Sequence, residues 1–303
     1  MEETKFIWFN GKMQDWSETK VHFLTHSLHY GTAVFEGIRA YETEKGPAVF
    51  RLKEHMKRLE ESAHIVGMKI PYTVEELCKA TKEVIKKNGV KSCYIRPLVF
   101  YGYGKMGLAT NGATIDVGIA IWPWGAYLGE EGKTKGIRAK VSSYTRPYIN
   151  STMIHAKVSG TYANSTLAKM EVINAGYEEA IMLDKDGFVA ECSGENIFVI
   201  KDGEVITPPS SVCLKGITRD SVIKILADNG IKVLEKQLTR DELYSADGIF
   251  ITGTAAEVTP IREVDNRTVG NGSPEKITKM VQQKYDEIIH GGEKKYISWL
   301  DFV

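Results

Sequence analysis

The chain has 303 residues, of which 43% are hydrophobic and 26% charged, the composition of a globular protein long enough for two domains. Lysine plus arginine and aspartate plus glutamate both total 39, so the formal net charge is zero. This balance gives no electrostatic reason to expect a nucleic acid or a membrane surface as a partner.

The first half of the chain combines strands with two helices. Apolar residues recur at intervals of three and four along 53–66, which predicts a helix. Thr73 and Glu76 form the capping box of a second helix over 73–88. Alternating and β-rich runs predict strands over 6–10, 13–16, 33–41, 48–52, 92–101 and 114–122.

A glycine-rich, charged stretch over 124–136 is interpreted as the connection between an N-terminal domain, 1–123, and a C-terminal domain, 137–303. The second half is again mixed, so the expected fold class is α/β (α+β). Its predicted helices cover 160–175, 218–229 and 274–289, with Tyr162, Leu167, Met170 and Ile173 expected on the buried face of the first. Its predicted strands cover 137–143, 179–183, 188–191, 196–200, 204–207, 231–236 and 248–253.

Lys157 stands in an unusual local setting. Small and polar residues surround it, including Ala156, Ser159 and Gly160, and it precedes a predicted helix instead of lying along one. Lysine is the side chain that forms a Schiff base with an aldehyde cofactor, and its amine must be unprotonated to attack. From the pattern alone, a solvated surface lysine remains the commoner interpretation.

Two later segments could hold an anion or a cationic ring. Glu191 ends a strand before a tight loop, where its carboxylate could pair with a ring nitrogen or could simply face water. Gly216, Ile217 and Thr218 open a helix whose free N–H groups and dipole favour a phosphate. An ordinary helix start capped by Thr218 fits the same pattern.

Tyr94 and Arg96 alternate onto one face of a strand, where they face either a cavity or water. In a cavity, a phenol and a guanidinium could meet a carboxylate. The seven histidines show no metal-ligand spacing, so no metal is predicted. The four cysteines form no C-x-x-C pair and the first residues do not read as a signal peptide, so a cytoplasmic location is expected.

Taken together, these segments resemble the branched-chain-amino-acid aminotransferases, a family of fold-type IV enzymes that use pyridoxal 5′-phosphate (PLP). The strings that carry the resemblance are A-K-x-x-G-x-Y over 156–162, E-x-x-G-E-N-I-F over 191–198 and Gly216-Ile217-Thr218. The resemblance extends from Trp8 to Asp301. Lys215 stands where relatives usually have proline, and Cys192 where they usually have a smaller residue.

The resemblance implies a smaller N-terminal α/β domain, a larger C-terminal domain with a pseudo-barrel β core, and PLP between them. It implies ping-pong transfer of the amino group from L-leucine, L-isoleucine or L-valine to 2-oxoglutarate, which gives branched 2-oxo acids and L-glutamate. Lys157 would form the Schiff base and shuttle the proton. The expected assembly is a homodimer unit, or a homohexamer built from it.

By resemblance, Glu191 pairs with the ring nitrogen, Tyr162 contacts the 3′-oxygen and Arg58 binds the phosphate. The full implied set of cofactor-binding residues is Arg58, Lys157, Tyr162, Glu191, Gly216, Ile217, Thr218, Gly253 and Thr254. Arg96 would bind the distal carboxylate of glutamate, and Leu108 would reach the neighbouring subunit's site. The full implied set of substrate-binding residues is Tyr30, Phe35, Gly37, Arg39, Tyr94, Arg96, Leu108, Tyr127, Thr254, Ala255 and Ala256.

Two other interpretations stay open. One is a sibling chemistry on the same fold: a D-amino-acid aminotransferase, an amine transaminase or an aminodeoxychorismate lyase. The other is a PLP-binding or assembly protein without turnover. A panel of L- and D-amino acids would separate the first from the branched-chain enzyme, and a single-turnover absorbance change with leucine would exclude the second.

Overall fold

The computed structural model describes residues 2–125 and 127–303, which form two compact units. The first unit runs to Trp124 and also includes Ala156–Thr161 and Ile288–Val303. The second unit comprises Gly125–His155 and Tyr162–Glu287. Ala126, which falls in the predicted connection over 124–136, lies outside the described residues.

The helices are α1 (His26–Tyr30), α2 (Leu52–Ile65), α3 (Val74–Asn88), α4 (Gly129–Lys135), α5 (Tyr162–Asn174), α6 (Ile217–Asp228), α7 (Arg240–Tyr244) and α8 (Lys276–Ile289). Strands β1 to β9 are Phe6–Phe9, Lys12–Asp15, Ala33–Phe35, Ile38–Thr43, Gly46–Phe50, Cys93–Tyr101, Ile115–Trp122, Ile137–Val141 and Glu179–Leu183. Strands β10 to β17 are Val189–Cys192, Asn196–Lys201, Glu204–Thr207, Val233–Glu235, Gly248–Gly253, Glu257–Val264, Arg267–Thr268 and Leu300–Phe302. This mixture confirms the predicted α/β class.

In the described part of the first unit, eight antiparallel strands form one sheet in the order β17-β5-β4-β6-β7-β1-β2, with β3 beside β6. Apolar side chains of α2 and α3 share a core with this sheet. The predicted capping box is confirmed, since Thr73 accepts from the Glu76 N–H and Glu76 accepts from the Thr73 N–H. The strand predicted over 33–41 divides into β3 and β4, and the fully buried carboxylate of Glu36 lies at the break.

The second unit contains a mixed sheet of nine strands among its described residues, in the order β10-β9-β8-β15-β14-β11-β12-β13, with β16 beside β15. Strands β8, β9 and β15 pair in parallel, as do β12 and β13. Phe198 and Phe250 stack across neighbouring strands with their ring centroids 4.9 Å apart. Strand β15 was not predicted from the sequence, and its Pro260 lacks the N–H donor that a strand residue normally offers.

One local prediction was wrong. Leu167, Met170 and Ile173 are about half exposed, because α5 buries its smaller residues Ser165, Ala168 and Val172 instead. The longest apolar side chains of a helix therefore do not always mark its buried face. The stretch over 124–136, interpreted as the connection between the domains, contains the short helix α4.

Two segments of the predicted C-terminal region, 137–303, belong to the first compact unit. Strand β17 pairs antiparallel with β5, and Val158 forms an isolated bridge with Val34. Backbone pairing of this kind joins residues that lie far apart in sequence, so a linear boundary cannot follow it. Within the described residues, no helix is both long and apolar enough to cross a membrane.

Candidate active site

The backbone on both sides of Lys157 is fixed in the first unit. Phe35 N–H donates to the Lys157 carbonyl at 3.1 Å, and Lys157 N–H donates to Ser62 Oγ at 3.1 Å. The half-buried side chain of Lys157 places Nζ 4.9 Å from the centroid of the Phe35 ring. An amine beside an aromatic face has lost part of its water shell, which suits a nucleophile.

Two glycines bring the segment after Lys157 against α1. Gly160 N–H donates to the Gly31 carbonyl at 3.1 Å. A Cβ on Gly31 would lie 2.7 Å from Gly160 Cα, which is closer than a real side chain allows. The close backbone approach therefore requires glycine at position 31, and it fixes the chain three residues beyond the candidate lysine.

Arg96 lies among three aromatic rings. Its guanidinium carbon is 4.8 Å from the Phe35 centroid, 5.4 Å from that of Tyr94 and 5.8 Å from that of Trp122. Its Nε is buried and has no hydrogen-bond partner among the described residues. A guanidinium that packs against aromatic rings and has a buried donor without a partner can form a bidentate ion pair with a carboxylate. Phe35 thus contacts both Lys157 and Arg96.

Gly37 makes room for the hydroxyl of Tyr94. A Cβ at position 37 would lie 2.0 Å from that oxygen, so any side chain would displace the phenol. The Tyr94 ring packs against Trp124 with centroids 4.6 Å apart. Arg39, predicted to bind substrate, donates to the Trp124 carbonyl at 2.9 Å and so supports this aromatic group from its edge.

Arg58, the predicted phosphate ligand, is held by a buried carboxylate that the sequence analysis did not identify. Arg58 Nε and Nη2 donate to the two oxygens of Glu36 at 2.7 and 2.8 Å, and His55 Nδ1 lies 2.7 Å from Glu36 Oε2. Burial alone would raise the pKa of Glu36, but Arg58 and His55 lower it well below its ordinary value. Burial lowers the pKa of His55, and Glu36 offsets this only in part.

The segment that carries Leu108 is anchored by α1. His26 Nε2 donates to the Gly107 carbonyl at 2.8 Å, and the Gly107 N–H donates to the Tyr30 hydroxyl at 3.3 Å. Leu108 itself is 84% exposed. An apolar side chain presented to solvent on an anchored loop is suited to contact another surface.

In the second unit, Glu191 is nearly buried and both of its oxygens are held. Leu214 N–H donates to Oε2 at 3.2 Å, Asn196 Nδ2 lies 3.5 Å from the same oxygen, and Arg146 Nη2 lies 2.7 Å from Oε1. Asn196 Nδ2 also donates to the Leu214 carbonyl at 2.9 Å. This burial does not support the alternative interpretation, in which Glu191 is an exposed turn residue.

The first turn of α6 is suited to an anion. Gly216 is the N-cap residue and offers no side chain to the free N–H groups of the helix. A Cβ there would lie 2.0 Å from Asn196 Oδ1, so the position admits only glycine without a rearrangement. Ile217 and Thr218 follow as the first helical residues and are buried. The N-terminal dipole and amides of this 12-residue helix favour a phosphate.

The remaining predicted residues of the second unit lie in two places. Gly253 ends β14, Thr254 to Ala256 form the turn to β15, and a Cβ on Gly253 would lie 3.1 Å from Glu195 Cγ. Tyr162 begins α5, and the Tyr127 ring centroid lies 5.5 Å from Lys169 Nζ. Lys169 is in turn paired with the fully buried Glu179.

The side chain of Glu179 holds the loop that follows Glu191. Glu179 Oε1 accepts from Ser193 N–H at 3.2 Å and from Ser193 Oγ at 2.5 Å. Burial raises the pKa of the Cys192 thiol well above its ordinary value, so this residue is an uncharged, buried side chain next to the loop. Among the described residues, no group of three or more His, Cys, Asp or Glu side chains could hold a metal ion.

Each unit therefore brings together one part of the predicted residue set. The first unit holds Tyr30, Phe35, Gly37, Arg39, Arg58, Tyr94, Arg96, Leu108 and Lys157. The second holds Tyr127, Tyr162, Glu191, Gly216, Ile217, Thr218, Gly253, Thr254, Ala255 and Ala256. Chemically, the first set offers an amine and a guanidinium beside one aromatic ring, and the second offers a fixed carboxylate and a helix start.

The sequence patterns missed the residues that support these groups. The contacts of Glu36 with His55 and Arg58 span 19 and 22 positions of the chain. Arg146, which contacts Glu191, lies outside every recognised motif. A charged residue within the apolar run over 33–41 was the one available signal for Glu36. Asn196, which contacts both Glu191 and Leu214, lies inside the recognised string over 191–198.

Comparisons with known proteins show the family to which the chain belongs. A family model described as amino-transferase class IV matches residues 33–264. A branched-chain-amino-acid aminotransferase of Pseudomonas aeruginosa is 49% identical over 297 residues, 98% of this chain and 97% of that protein. The crystal structure of the Escherichia coli branched-chain amino acid aminotransferase superposes with a TM-score of 0.97 at 46% identity, covering 99% of both chains. The branched-chain amino acid aminotransferase of Thermobaculum terrenum in its PLP form gives 0.92 at 34% identity, covering 99% of this chain and 98% of that one.

Proposed function

Since the chain belongs to the class IV aminotransferase family, we propose that it is a PLP-dependent branched-chain-amino-acid aminotransferase. The enzyme transfers the amino group of L-leucine, L-isoleucine or L-valine to 2-oxoglutarate, which gives branched 2-oxo acids and L-glutamate. Its likeness to solved aminotransferase structures over nearly the whole chain confirms the fold-type IV fold predicted from the sequence. The observation that carries the substrate choice is that Lys157 Nζ and the Arg96 guanidinium both lie within 5 Å of the Phe35 ring centroid.

The donor groups of this chain fit PLP. A helix start whose cap position admits only glycine suits the phosphate, and the buried, ionisable Glu191 suits a protonated ring nitrogen. We assign Arg58, Gly216, Ile217, Thr218, Gly253 and Thr254 to the phosphate, Tyr162 to the 3′-oxygen and Lys157 to the aldehyde carbon. When bound, PLP supplies an electron sink for the electron pair left at the substrate Cα.

Lys157 is the residue that moves the proton. Its amine takes the proton from the substrate Cα as general base and later returns a proton as general acid. The hydrogen bonds from Phe35 and to Ser62 hold the lysine backbone in place during both steps. This fixed backbone leaves the four-carbon side chain as the moving part.

One pocket must accept both an apolar side chain and a distal carboxylate. Lys157 Nζ and the Arg96 guanidinium both lie within 5 Å of the Phe35 centroid, so they are at most about 10 Å apart. We infer that Phe35, Tyr30, Gly37 and Tyr127 form the apolar wall for leucine, while Arg96 and Tyr94 bind the distal carboxylate of glutamate. The amides of Thr254, Ala255 and Ala256 bind the α-carboxylate, and Arg39 supports the wall through Trp124.

We further propose a homodimer as the minimal assembly, with a homohexamer as the larger alternative. Leu108 is highly exposed although its loop is anchored, which fits a residue that completes the neighbouring subunit's site. A cytoplasmic location fits the free state of all four cysteines.

The visible absorbance spectrum of the purified protein tests this proposal. We expect a band of bound cofactor that fades with L-leucine and returns with 2-oxoglutarate. A band that responds only to a D-amino acid or an amine would retain the cofactor and overturn the substrate. The matched Lys157→Ala variant should lose the covalently bound chromophore after reduction and denaturation. If the wild-type protein shows no band even after PLP is added, the proposal is wrong.

A further inference from the structure

An arginine outside every recognised motif forms a nearly buried ion pair with Glu191. Arg146 Nη2 lies 2.7 Å from Glu191 Oε1, and the two side chains are only 13% and 7% exposed. Taking two charges out of water is unfavourable unless the pair is well placed and further hydrogen-bonded. An ion pair at this degree of burial, in which one member is a candidate cofactor ligand, is therefore expected to have a function.

Arg146 is itself held in one position. The backbone N–H of Arg146 donates to the Leu183 carbonyl at 2.8 Å, and its side-chain Nη1 lies 3.4 Å from Ser165 Oγ on α5. Its Nε is buried and has no hydrogen-bond partner within the described part of the chain. The guanidinium thus connects Glu191 with the helix that Tyr162 begins.

The other oxygen of Glu191 faces two uncharged donors, the Leu214 N–H and the Asn196 amide. The nearby thiols bring no charge, because burial raises the pKa of Cys213 to about 12 and that of Cys192 well above its ordinary value. Arg146 supplies a full positive charge in direct contact with this carboxylate.

We propose that Arg146 is a positioning residue that keeps Glu191 ionised and oriented toward the ring nitrogen of PLP. A buried carboxylate without a cationic partner takes up a proton more readily, because burial disfavours its charged form. A neutral carboxylic acid would no longer keep the proton on the ring nitrogen. The inference rests on the proposed function, in which Glu191 is the partner of that nitrogen.

The test compares Arg146→Gln and Arg146→Lys with Arg138→Gln, which breaks a partly exposed pair with Glu263 in the same unit. For Arg146→Gln we expect PLP affinity of the apoprotein to fall about 10- to 100-fold and kcat to fall at least tenfold with little change in KM. Arg146→Lys, which keeps the charge, should restore most of both. The Arg138→Gln variant should match the wild type. Equal PLP affinity and kcat in Arg146→Gln and Arg138→Gln would overturn the proposal.

A measurement on the apoprotein separates this proposal from the proposed function and needs no arginine variant. The infrared difference between wild type and Glu191→Gln isolates the Glu191 carboxylate band. We expect the ionised band to persist to about pH 4 or lower in the wild type. Protonation at or above about pH 5 would show that Arg146 does not keep Glu191 ionised, whether or not the protein binds PLP.

Discussion

At the scale of single residues, Phe35 links the two cations to which the proposed function assigns roles in proton transfer and substrate choice. Lys157 Nζ and the Arg96 guanidinium both contact its ring, and Tyr94 and Trp122 complete the aromatic surroundings of Arg96. Aromatic faces attract cations without neutralising them. Arg96 can therefore remain available for a carboxylate while the same surface accepts a branched alkyl group.

Replacing Arg96 with methionine should separate the two kinds of substrate. A hydrogen-bonded charge pair is worth about 1.5–3 kcal/mol, so kcat/KM for 2-oxoglutarate should fall about 10- to 100-fold. The value for 4-methyl-2-oxopentanoate, which has no distal carboxylate, should change by less than about threefold. Steady-state kinetics with both acceptors measure the difference. A parallel loss for the two acceptors would show that Arg96 serves the pocket only as packing.

The motifs predict roles for Lys157 and Arg96 but not for the residues that hold their neighbours. The prediction for Lys157 rests on a contiguous string that resembles the family, and that for Arg96 on its alternation with Tyr94 along one strand and on the same resemblance. The Glu36–Arg58 pair spans 22 positions and depends on how β3 meets α2. A single sequence carries no signal for such a contact.

At the scale of elements, the contact between α1 and the segment that follows Lys157 depends on two glycines. The Gly31 φ angle is +66°, a left-handed conformation in which glycine carries no penalty. Its missing side chain also lets Gly160 approach within hydrogen-bonding distance. Conformation and close packing thus impose glycine at the same position.

Gly31→Ala and Gly89→Ala separate these two causes. Both residues have φ of +66° at the end of a helix, but a Cβ at position 89 meets nothing within 4 Å. Gly89→Ala should cost about 1 kcal/mol of unfolding free energy and leave activity unchanged. Gly31→Ala should cost roughly 2–3 kcal/mol and lower kcat at least tenfold, because the clash displaces the lysine segment. Chemical denaturation and kinetics check both values. Similar activities in the two variants would refute the role of the glycine contact.

Helix α5 shows why an element's orientation was harder to predict than its existence. Its extent agrees with the predicted 160–175 to within a few residues, since helix propensity and spacing are local. Its buried face is lined by Ser165, Ala168 and Val172, and the last two pack with Ala180 and Met182 of β9. Which face a helix buries depends on such partners and not on the helix sequence alone.

At the scale of the whole molecule, equal numbers of acidic and basic residues give an isoelectric point of about 7.1. The net charge is therefore close to zero near neutral pH, and long-range repulsion contributes little to stability there. The pH dependence of stability should instead come from individual buried groups. The fully buried carboxylate of Glu36 and its partner His55 are such groups.

Stability should fall as the pH decreases from 7 to 5, and His55 should account for part of the loss. Burial holds the pKa of folded His55 below its ordinary value of 6.5, so below that pH the unfolded chain binds more protons than the folded protein. One such group contributes a slope of up to about 1.4 kcal/mol per pH unit. Glu36, whose pKa is also lowered, adds to the loss only below its ordinary value of 4.5.

Denaturant unfolding at a series of pH values measures this dependence. His55→Gln should flatten the slope between pH 7 and 5, because glutamine cannot take up the proton. His64→Gln, an exposed change on the same helix, serves as the control and should keep the wild-type slope. If His55→Gln and His64→Gln retain the same slope, the buried histidine is not the cause.

The sequence by itself determined the class of the fold and most of the helices and strands, and its motifs predicted a lysine, a carboxylate and a helix start for PLP. These are local features: contiguous strings, period-two alternation, 3.6-residue periodicity and capping residues such as Thr73. Each can be read without knowing what lies opposite it.

Only the tertiary structure decided what surrounds those groups. It paired Arg146 with Glu191, Glu36 with Arg58 and Gly31 with Gly160, and it added β17 to the sheet of the first unit. Such contacts join positions far apart in the chain and are selected by packing and by the cost of burying charge, which depend on three-dimensional neighbours. The motifs that predict which residues act are therefore local in sequence, whereas the orientation and ionisation state of those residues are set by the fold.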